Sequence, residues 1–247
     1  MDYNKYIAGG LSGIVEVLCT HPFDYLKTKK QEFAQRSINN NFYKLILKEP
    51  ILNIYNGILP RILGVSPMRF IFWGVIDTTT VYLKDYKLNN FTKVIIIGST
   101  SGFFQTLIDN PIELIKIQQI SKQKINYKKI LFKNYGYLST LIRNSIFNSN
   151  IIFFCLKKEE DNNLYNFFIS ACGGVSGTFF TQPFDYIKTY QQRNKSKESI
   201  LKLLSYNIKK NPKKLYTGFL HRSLLNFFAM GIGFVGYNNF YKLLKDN

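Results

Sequence analysis

Segments of about 20 residues with few charges alternate along this chain with strongly basic segments. Residues 164–184 and 223–241 contain no Asp, Glu, Lys or Arg. Each is long enough for a transmembrane helix, which needs about 20 apolar residues. Four similar segments contain one or two isolated charges: 6–23, 58–76, 94–112 and 136–156. The pattern therefore predicts an all-α membrane protein with six transmembrane helices.

The basic residues are concentrated in three loops, 27–56, 116–135 and 188–217, which together account for the whole net charge of +18. The termini and the remaining loops nearly cancel. This one-sided distribution is typical of membrane topology, and it puts the three long loops on one face and both termini on the other. It argues against a basic nucleic-acid-binding protein, because uncharged spans separate the basic loops.

A Pro-x-acid-x-x-Lys motif ends each odd-numbered span. The three copies are Pro22-Phe23-Asp24-Tyr25-Leu26-Lys27, Pro111-Ile112-Glu113-Leu114-Ile115-Lys116 and Pro183-Phe184-Asp185-Tyr186-Ile187-Lys188. In a helix, an acid and a Lys three residues apart share one face. The proline removes a backbone donor and kinks the helix before that pair. Three kinked helices would thus bring three acids and three lysines around one axis, where each acid can pair with a neighbour's Lys.

An aromatic residue and a glycine follow each long loop and begin the next span. These pairs are Tyr55 and Gly57, Tyr135 and Gly136, and Tyr216 and Gly218. The chain therefore consists of three tandem two-helix repeats, approximately residues 1–88, 89–162 and 163–247, in a single domain of residues 1–247.

With these motifs the chain resembles the mitochondrial carrier family over essentially its whole length. The matching residues beyond the three core motifs are Lys29, Gln31, Glu49, Tyr55 and Gly57 in the first repeat, and Gln192, Tyr216 and Gly218 in the third. The second repeat has Ile120 in place of the motif's Gln. Pro50, Asn56, Asn211 and Thr217 replace loop residues that help to bind cardiolipin in the family.

The resemblance implies a transporter with six transmembrane helices in three pseudo-symmetric repeats. Short amphipathic helices are expected on the matrix side, at 42–48, 200–209 and, more weakly, 126–134. The expected protein is a monomer in the mitochondrial inner membrane, without a cleavable presequence or cofactor, and with cardiolipin as a candidate lipid partner.

The resemblance also implies two gates. On the matrix side the expected ion pairs are Asp24 with Lys116, Glu113 with Lys188, and Asp185 with Lys27, with Gln31 and Gln192 bracing two of them. On the cytoplasmic side, Asp77 is the one acid at the three expected positions, and its basic partners are missing. Cytoplasmic closure is therefore expected to depend on packing or hydrogen bonds.

Substrate contacts in the family lie midway along the even-numbered spans. The corresponding residues are Gly64, Val65, Arg143, Asn144, Leu225 and Asn226. Arg143 is the expected anchor for an anion, because an Arg in the middle of a span is costly unless it faces a cavity and meets an anion. Arg61, Arg69 and Arg222 add positive charge, with Arg69 expected nearer the cavity mouth.

Two substrate classes fit these residues. Four arginines match a polyphosphate, and Asn144, Asn148, Asn226 and Phe227 are candidates to hold a base. Frequent Asn, Ile, Lys and Tyr indicate an AT-rich genome, such as that of a protist parasite or a giant virus. A viral carrier would act in the host mitochondrion, where nucleotide supply is a plausible role. We therefore expect nucleotide or deoxynucleotide exchange.

The alternative is a di- or oxodicarboxylate carrier. Arg143-Asn144 resembles the basic–polar pair of such carriers, although Leu225 stands where a matching Arg is expected. An enzyme finds little support: His21 and His221 belong to different repeats, and the three cysteines have no metal-binding or redox spacing.

Overall fold

A computed structural model describes residues 3–35, 54–55, 58–120, 136–155, 162–194 and 196–245, with residues 24–35, 60, 113–120 and 193–194 as backbone only. The helices are α1 (Tyr3–Gln35), α2 (Ile58–Tyr82), α3 (Asn90–Ile120), α4 (Tyr137–Cys155), α5 (Asn163–Asn194), α6 (Ile200–Lys210) and α7 (Phe219–Lys245), with a 3-10 helix at Pro212–Tyr216. Every regular element of the described residues is helical, so the predicted all-α class is confirmed.

The six long helices, α1 to α5 and α7, form a closed ring. Each packs against the next in chain order, and α7 returns to pack against α1. One end of the ring carries the connections α1–α2, α3–α4 and α5–α7, and we call it the loop end. The other end carries both termini, and we call it the terminal end. This arrangement matches three tandem helix pairs.

Two helical segments of the described residues are both long and apolar enough to cross a membrane. They are Asn90–Ile112 and Pro212–Lys245, each with a mean hydropathy of 1.2. Several other long helices contain polar residues that are buried between helices, including Glu16, Thr140 and Gln182. The described residues contain six long helices. That all six cross the membrane stays a prediction.

The motif prolines lie inside their helices. Pro22, Pro111 and Pro183 are interior to α1, α3 and α5, which contain 33, 31 and 32 residues. At about 1.5 Å per residue, helices of this length exceed a hydrocarbon core of about 30 Å. The first basic residues of each loop were predicted to lie in connections, but they continue the odd-numbered helices.

The predicted amphipathic helix at 200–209 is α6. It begins at an N-cap, where the Ser199 side chain accepts a hydrogen bond from the backbone N–H of Lys202. Its buried Ile200 and Leu203 pack with Ile187 of α5, while Leu201 is 79% exposed. This helix is confirmed. The segments 42–48 and 126–134 lie outside the described residues.

Glycines allow close contact between α3 and α4. A Cβ atom on Gly102 would lie 2.6 Å from the backbone nitrogen of Ser145, and one on Gly98 would lie 2.6 Å from that of Ser149. Real Cβ atoms do not approach backbone this closely, so the two helices must separate if either glycine gains a side chain. Small residues that let helix backbones approach closely are common where helices associate in membranes.

Gly102→Ala is expected to lower the thermal unfolding temperature of the detergent-solubilised protein. Overpacking of this kind costs about 1–3 kcal/mol. Gly64→Ala is the matched control, because nothing lies within 4 Å of a Cβ at Gly64. Equal unfolding temperatures for the two variants would contradict the close contact between α3 and α4.

Candidate functional site

Arg143 of α4 lies between two carboxylates inside the ring. Its Nη2 is 2.8 Å from Oδ2 of Asp109 on α3, and its Nη1 is 3.3 Å from Oδ1 of Asp185 on α5. Its Nε and Nη2 also donate to Oδ1 of Asn144, at 3.0 and 2.6 Å. Only 16% of the Arg143 side chain is exposed. The guanidinium is therefore oriented by charge-assisted hydrogen bonds in a partly buried position.

Arg222 of α7 reaches the same carboxylate from the other side. Its Nη1 is 2.9 Å from Oδ2 of Asp185 and donates to Oε1 of Gln182 at 3.2 Å. Asp185 therefore lies between two guanidinium groups from α4 and α7, which are not neighbours in the ring. Arg222 thus provides a second guanidinium next to that of Arg143, although Leu225 occupies the position where a matching Arg was expected.

The matrix charge ring is described only in its third repeat. The side chains of Asp24, Lys27, Gln31, Glu113 and Lys116 lie outside the described part, so their pairing stays a prediction.

Within the third repeat, Lys188 is buried and interacts electrostatically with Asp185. Nε2 of Gln192 donates to Oδ1 of Asn110 on α3 at 3.1 Å. The structure shows ion pairs of Asp185 with Arg143 and Arg222. Its expected pair with Lys27 stays a prediction, because the Lys27 side chain lies outside the described part.

The asparagines that were candidates for holding a base form hydrogen bonds between helices. Asn148 is buried and donates to Ser101 at 3.1 Å and Gln105 at 2.9 Å. Asn144 donates to Thr106 at 2.9 Å, and Asn226 donates to Thr178 at 2.7 Å. Their amide groups are therefore already engaged in helix packing, which the sequence did not indicate.

Arg69 differs from its expected place near the cavity mouth. It is 7% exposed and forms a bidentate ion pair with Glu16 of α1, with Nε to Oε2 at 2.6 Å and Nη2 to Oε1 at 2.8 Å. Glu16 was missed as a partner. Charges inside spans usually pair with one another. The isolated acid in the first span and the Arg in the second could therefore have indicated this pair.

Arg61 is the charged residue among the remaining predicted contact positions. Nη2 of Arg61 donates to Oγ1 of Thr20 at 3.0 Å. Val65 and Leu225 are half-buried, and Gly64 has open space where a side chain would be.

Apolar side chains close the interior of the ring between the arginine site and the terminal end. Phe72 and Trp73 of α2, Ile151 of α4 and Ala229, Met230 and Phe234 of α7 form one buried cluster. The Trp73 ring stacks on Tyr237, with 4.2 Å between the ring centroids. This agrees with the expectation that closure on that side depends on packing.

An ion pair reinforces this closure at the terminal end. Lys5 of α1 pairs with Asp77 of α2, and its Nζ lies 5.3 Å from the centroid of the Tyr241 ring on α7. Tyr6 and Thr78 share a hydrogen bond of 2.7 Å. The sequence did not predict this pair, because the family pattern places the basic partners of Asp77 on the even-numbered helices, whereas Lys5 lies on α1.

Lys5→Ala is expected to open the terminal end more often. Trp73 is the only tryptophan and is buried in the closing cluster, so acrylamide quenching of its fluorescence should increase. Lys202→Ala removes a lysine from an exposed ion pair with Glu198 on the loop side and serves as the control. Equal quenching in wild type and Lys5→Ala would mean that Lys5 does not hold this end closed.

A separate pocket of about 850 Å³ lies between the start of α4, α5 and α6 at the loop end. Its lining is mainly apolar and includes Tyr137, Leu138, Phe184 and Leu204, together with the charged residues Lys197 and Glu198. The pocket does not include the arginine site.

A ring of six long helices with arginine–carboxylate pairs in its interior is typical of a membrane transporter built from repeats. The family model for the mitochondrial carrier protein matches residues 2–87 and 159–247, and the chain belongs to the mitochondrial carrier family. Members of this family are transporters rather than enzymes. The predicted location in the mitochondrial inner membrane is confirmed.

Several curated relatives are similar to this chain. A probable mitochondrial 2-oxodicarboxylate carrier of Schizosaccharomyces pombe is 29% identical over 216 residues, covering 74% of this chain and 72% of the relative. The mitochondrial 2-oxodicarboxylate carrier of Rattus norvegicus is 26% identical, with the same coverage. A mitochondrial aspartate–glutamate transporter of Saccharomyces cerevisiae is 29% identical over 77% of this chain and 25% of the relative. The comparisons favour the carboxylate alternative over the expected nucleotide.

Proposed function

We propose that this protein exchanges small dicarboxylates, of the 2-oxodicarboxylate class, across the mitochondrial inner membrane by alternating access. The observation that carries the proposal is the Arg143 site. Its guanidinium binds carboxylates from Asp109 and Asp185, and Arg222 binds the second of these from the opposite side. Guanidinium groups that bind carboxylates of the protein in this way are also suited to bind the carboxylates of a substrate.

The charges of the site favour a small dianion over a polyphosphate. Asp109 and Asp185 form ion pairs with the Arg143 guanidinium, and Glu16 neutralises the charge of Arg69. These acids reduce the excess positive charge that a nucleotide triphosphate would need. These carboxylates would also repel the phosphates of a nucleotide, which disfavours a nucleotide relative to a small dianion.

The second Arg removes the main objection to a dicarboxylate. Although Leu225 supplies no charge, Arg222 lies close to Arg143 through their shared contact with Asp185. Arg61 occupies the same place after its loop glycine in the first repeat as Arg222 does in the third. We assign Arg143 and Arg222 to one substrate carboxylate and Arg61 to the other.

Alternating access follows from the two ends of the ring. The apolar cluster around Phe72 and the Lys5–Asp77 pair hold the terminal end closed in this structure. If the loops face the matrix, as the basic charge indicates, the substrate reaches the arginine site from the matrix in this state. Opening the terminal end requires these contacts to separate. The predicted pairs of the charged motifs would close the loop end in that second state.

The pocket beside α6 is our candidate for the lipid partner. Its apolar lining suits the acyl chains of cardiolipin, and Lys197, which shares the lining with Glu198, is the candidate contact for the anionic headgroup.

Ligand-induced stabilisation tests the substrate class. 2-Oxoglutarate should raise the unfolding temperature of the detergent-solubilised protein, because a ligand that binds the folded state stabilises it. ADP, dATP and dTTP should have no comparable effect at the same concentration. Stabilisation by nucleotides without stabilisation by 2-oxoglutarate would overturn the dicarboxylate assignment.

A further inference from the structure

Asp185 has a position that a substrate carboxylate would otherwise take. Its two carboxylate oxygens contact different arginines, Oδ1 facing Arg143 at 3.3 Å and Oδ2 facing Arg222 at 2.9 Å. The site is thus filled by a carboxylate that belongs to the protein. A substrate carboxylate that binds both arginines must replace it, because three anions cannot share these donors without strong repulsion.

We propose that Asp185 is an internal competitor of the substrate: it occupies the arginine pair in the empty carrier, and the incoming dicarboxylate displaces it. This inference rests on the proposed function. It assigns to Asp185 a role in substrate affinity in addition to its place in the charged motif of the third repeat.

The two arginines keep other partners when Asp185 leaves. Arg143 retains Asp109, at 2.8 Å, and the Asn144 amide oxygen. Arg222 retains Oε1 of Gln182 at 3.2 Å, and Nε2 of Gln182 is itself fixed by the backbone oxygen of Thr217 at 2.9 Å. The substrate therefore meets two guanidinium groups that are already oriented, which lowers the cost of binding.

The displaced carboxylate is available at the loop end. Asp185 and Lys188 lie three residues apart on α5, and Lys188 is buried. Once released from the arginines, Asp185 is free to pair with a Lys of a neighbouring repeat, for which the sequence motif predicts Lys27. Substrate binding and closure of the loop end then depend on the same side chain, which is a two-state element of the kind that coupling requires.

Removal of the competing carboxylate should separate binding from transport. The experiment titrates 2-oxoglutarate into wild type, Asp185→Asn and Asp185→Glu in detergent, follows the unfolding temperature, and measures exchange by the same proteins in liposomes. If Asp185 occupies the site in about nine molecules of ten, Asp185→Asn binds about tenfold more tightly. The rate of exchange by Asp185→Asn should fall, because the variant lacks the motif acid that is predicted to pair when the loop end closes.

Asp185→Glu is the matched control, because it keeps the charge and therefore the competition. Its affinity should stay at or below that of wild type. Tighter binding in Asp185→Asn alone supports the inference, even if wild type binds too weakly to be measured. If Asp185→Asn binds 2-oxoglutarate no more tightly than wild type, the inference is overturned and the proposed function stands. If none of the three proteins binds a dicarboxylate, both fail.

Discussion

Arg143→Ala is expected to abolish dicarboxylate exchange. The substitution removes the guanidinium that contacts Asp109 and Asp185, and it leaves a bound substrate carboxylate facing Arg222 alone. Loss of one member of a buried charge pair costs about 2–5 kcal/mol of binding, which corresponds to a weakening of about 30- to 4,000-fold. The measurement is the initial rate of labelled 2-oxoglutarate uptake into liposomes, at several concentrations.

Arg143→Lys should recover little of the lost rate. A guanidinium contacts Asp109, Asp185 and Asn144 together, whereas an ammonium acts as a single point charge and does not reproduce that fork. Lys202→Ala, at an exposed position of α6, controls for reconstitution and overall charge. Wild-type affinity and rate in a folded Arg143→Ala protein would remove the anchor role.

Arg69→Ala is expected to be one of the most destabilising substitutions in the protein. Arg69 and Glu16 form a buried bidentate pair, and Met230 and Phe72 pack close to the guanidinium. Breaking a buried pair by removing one partner costs about 3–5 kcal/mol, because the other charge stays buried and uncompensated. The measurement is the unfolding temperature in detergent.

A double substitution separates charge from packing in this pair. Arg69→Met combined with Glu16→Leu removes both charges and keeps apolar volume, and such replacements are often neutral or stabilising. The double variant should therefore unfold at a higher temperature than Arg69→Ala. An unfolding temperature of Arg69→Ala equal to that of wild type would contradict the buried position of the pair.

The helices could be predicted from the sequence because their signals are local and occur three times. Proline, acid and lysine at fixed spacing, together with alternating apolar and basic segments, predicted the helix pairs and the amphipathic helix α6. Arg143 was selected as a candidate for a similar reason, since one charged residue within an apolar span is easily recognised in the sequence.

The partners of these charges could not be predicted in the same way. Asp185 was assigned to a gate by its motif, but its contacts with Arg143 and Arg222 depend on how three different helices converge. Lys5 lies outside the repeated motifs, so its pair with Asp77 had no triplicated signal. Asn148 was interpreted as a ligand-binding residue, and the structure uses it to join α3 and α4.

Counter-exchange in liposomes tests the central claim most directly. Purified protein is reconstituted into liposomes that contain 2-oxoglutarate, dATP or no substrate, and uptake of labelled 2-oxoglutarate is measured. A dicarboxylate exchanger should show rapid uptake only into liposomes loaded with 2-oxoglutarate, and Arg143→Ala should show none. Equal uptake of labelled dATP into dATP-loaded liposomes, with no exchange of 2-oxoglutarate, would contradict the account.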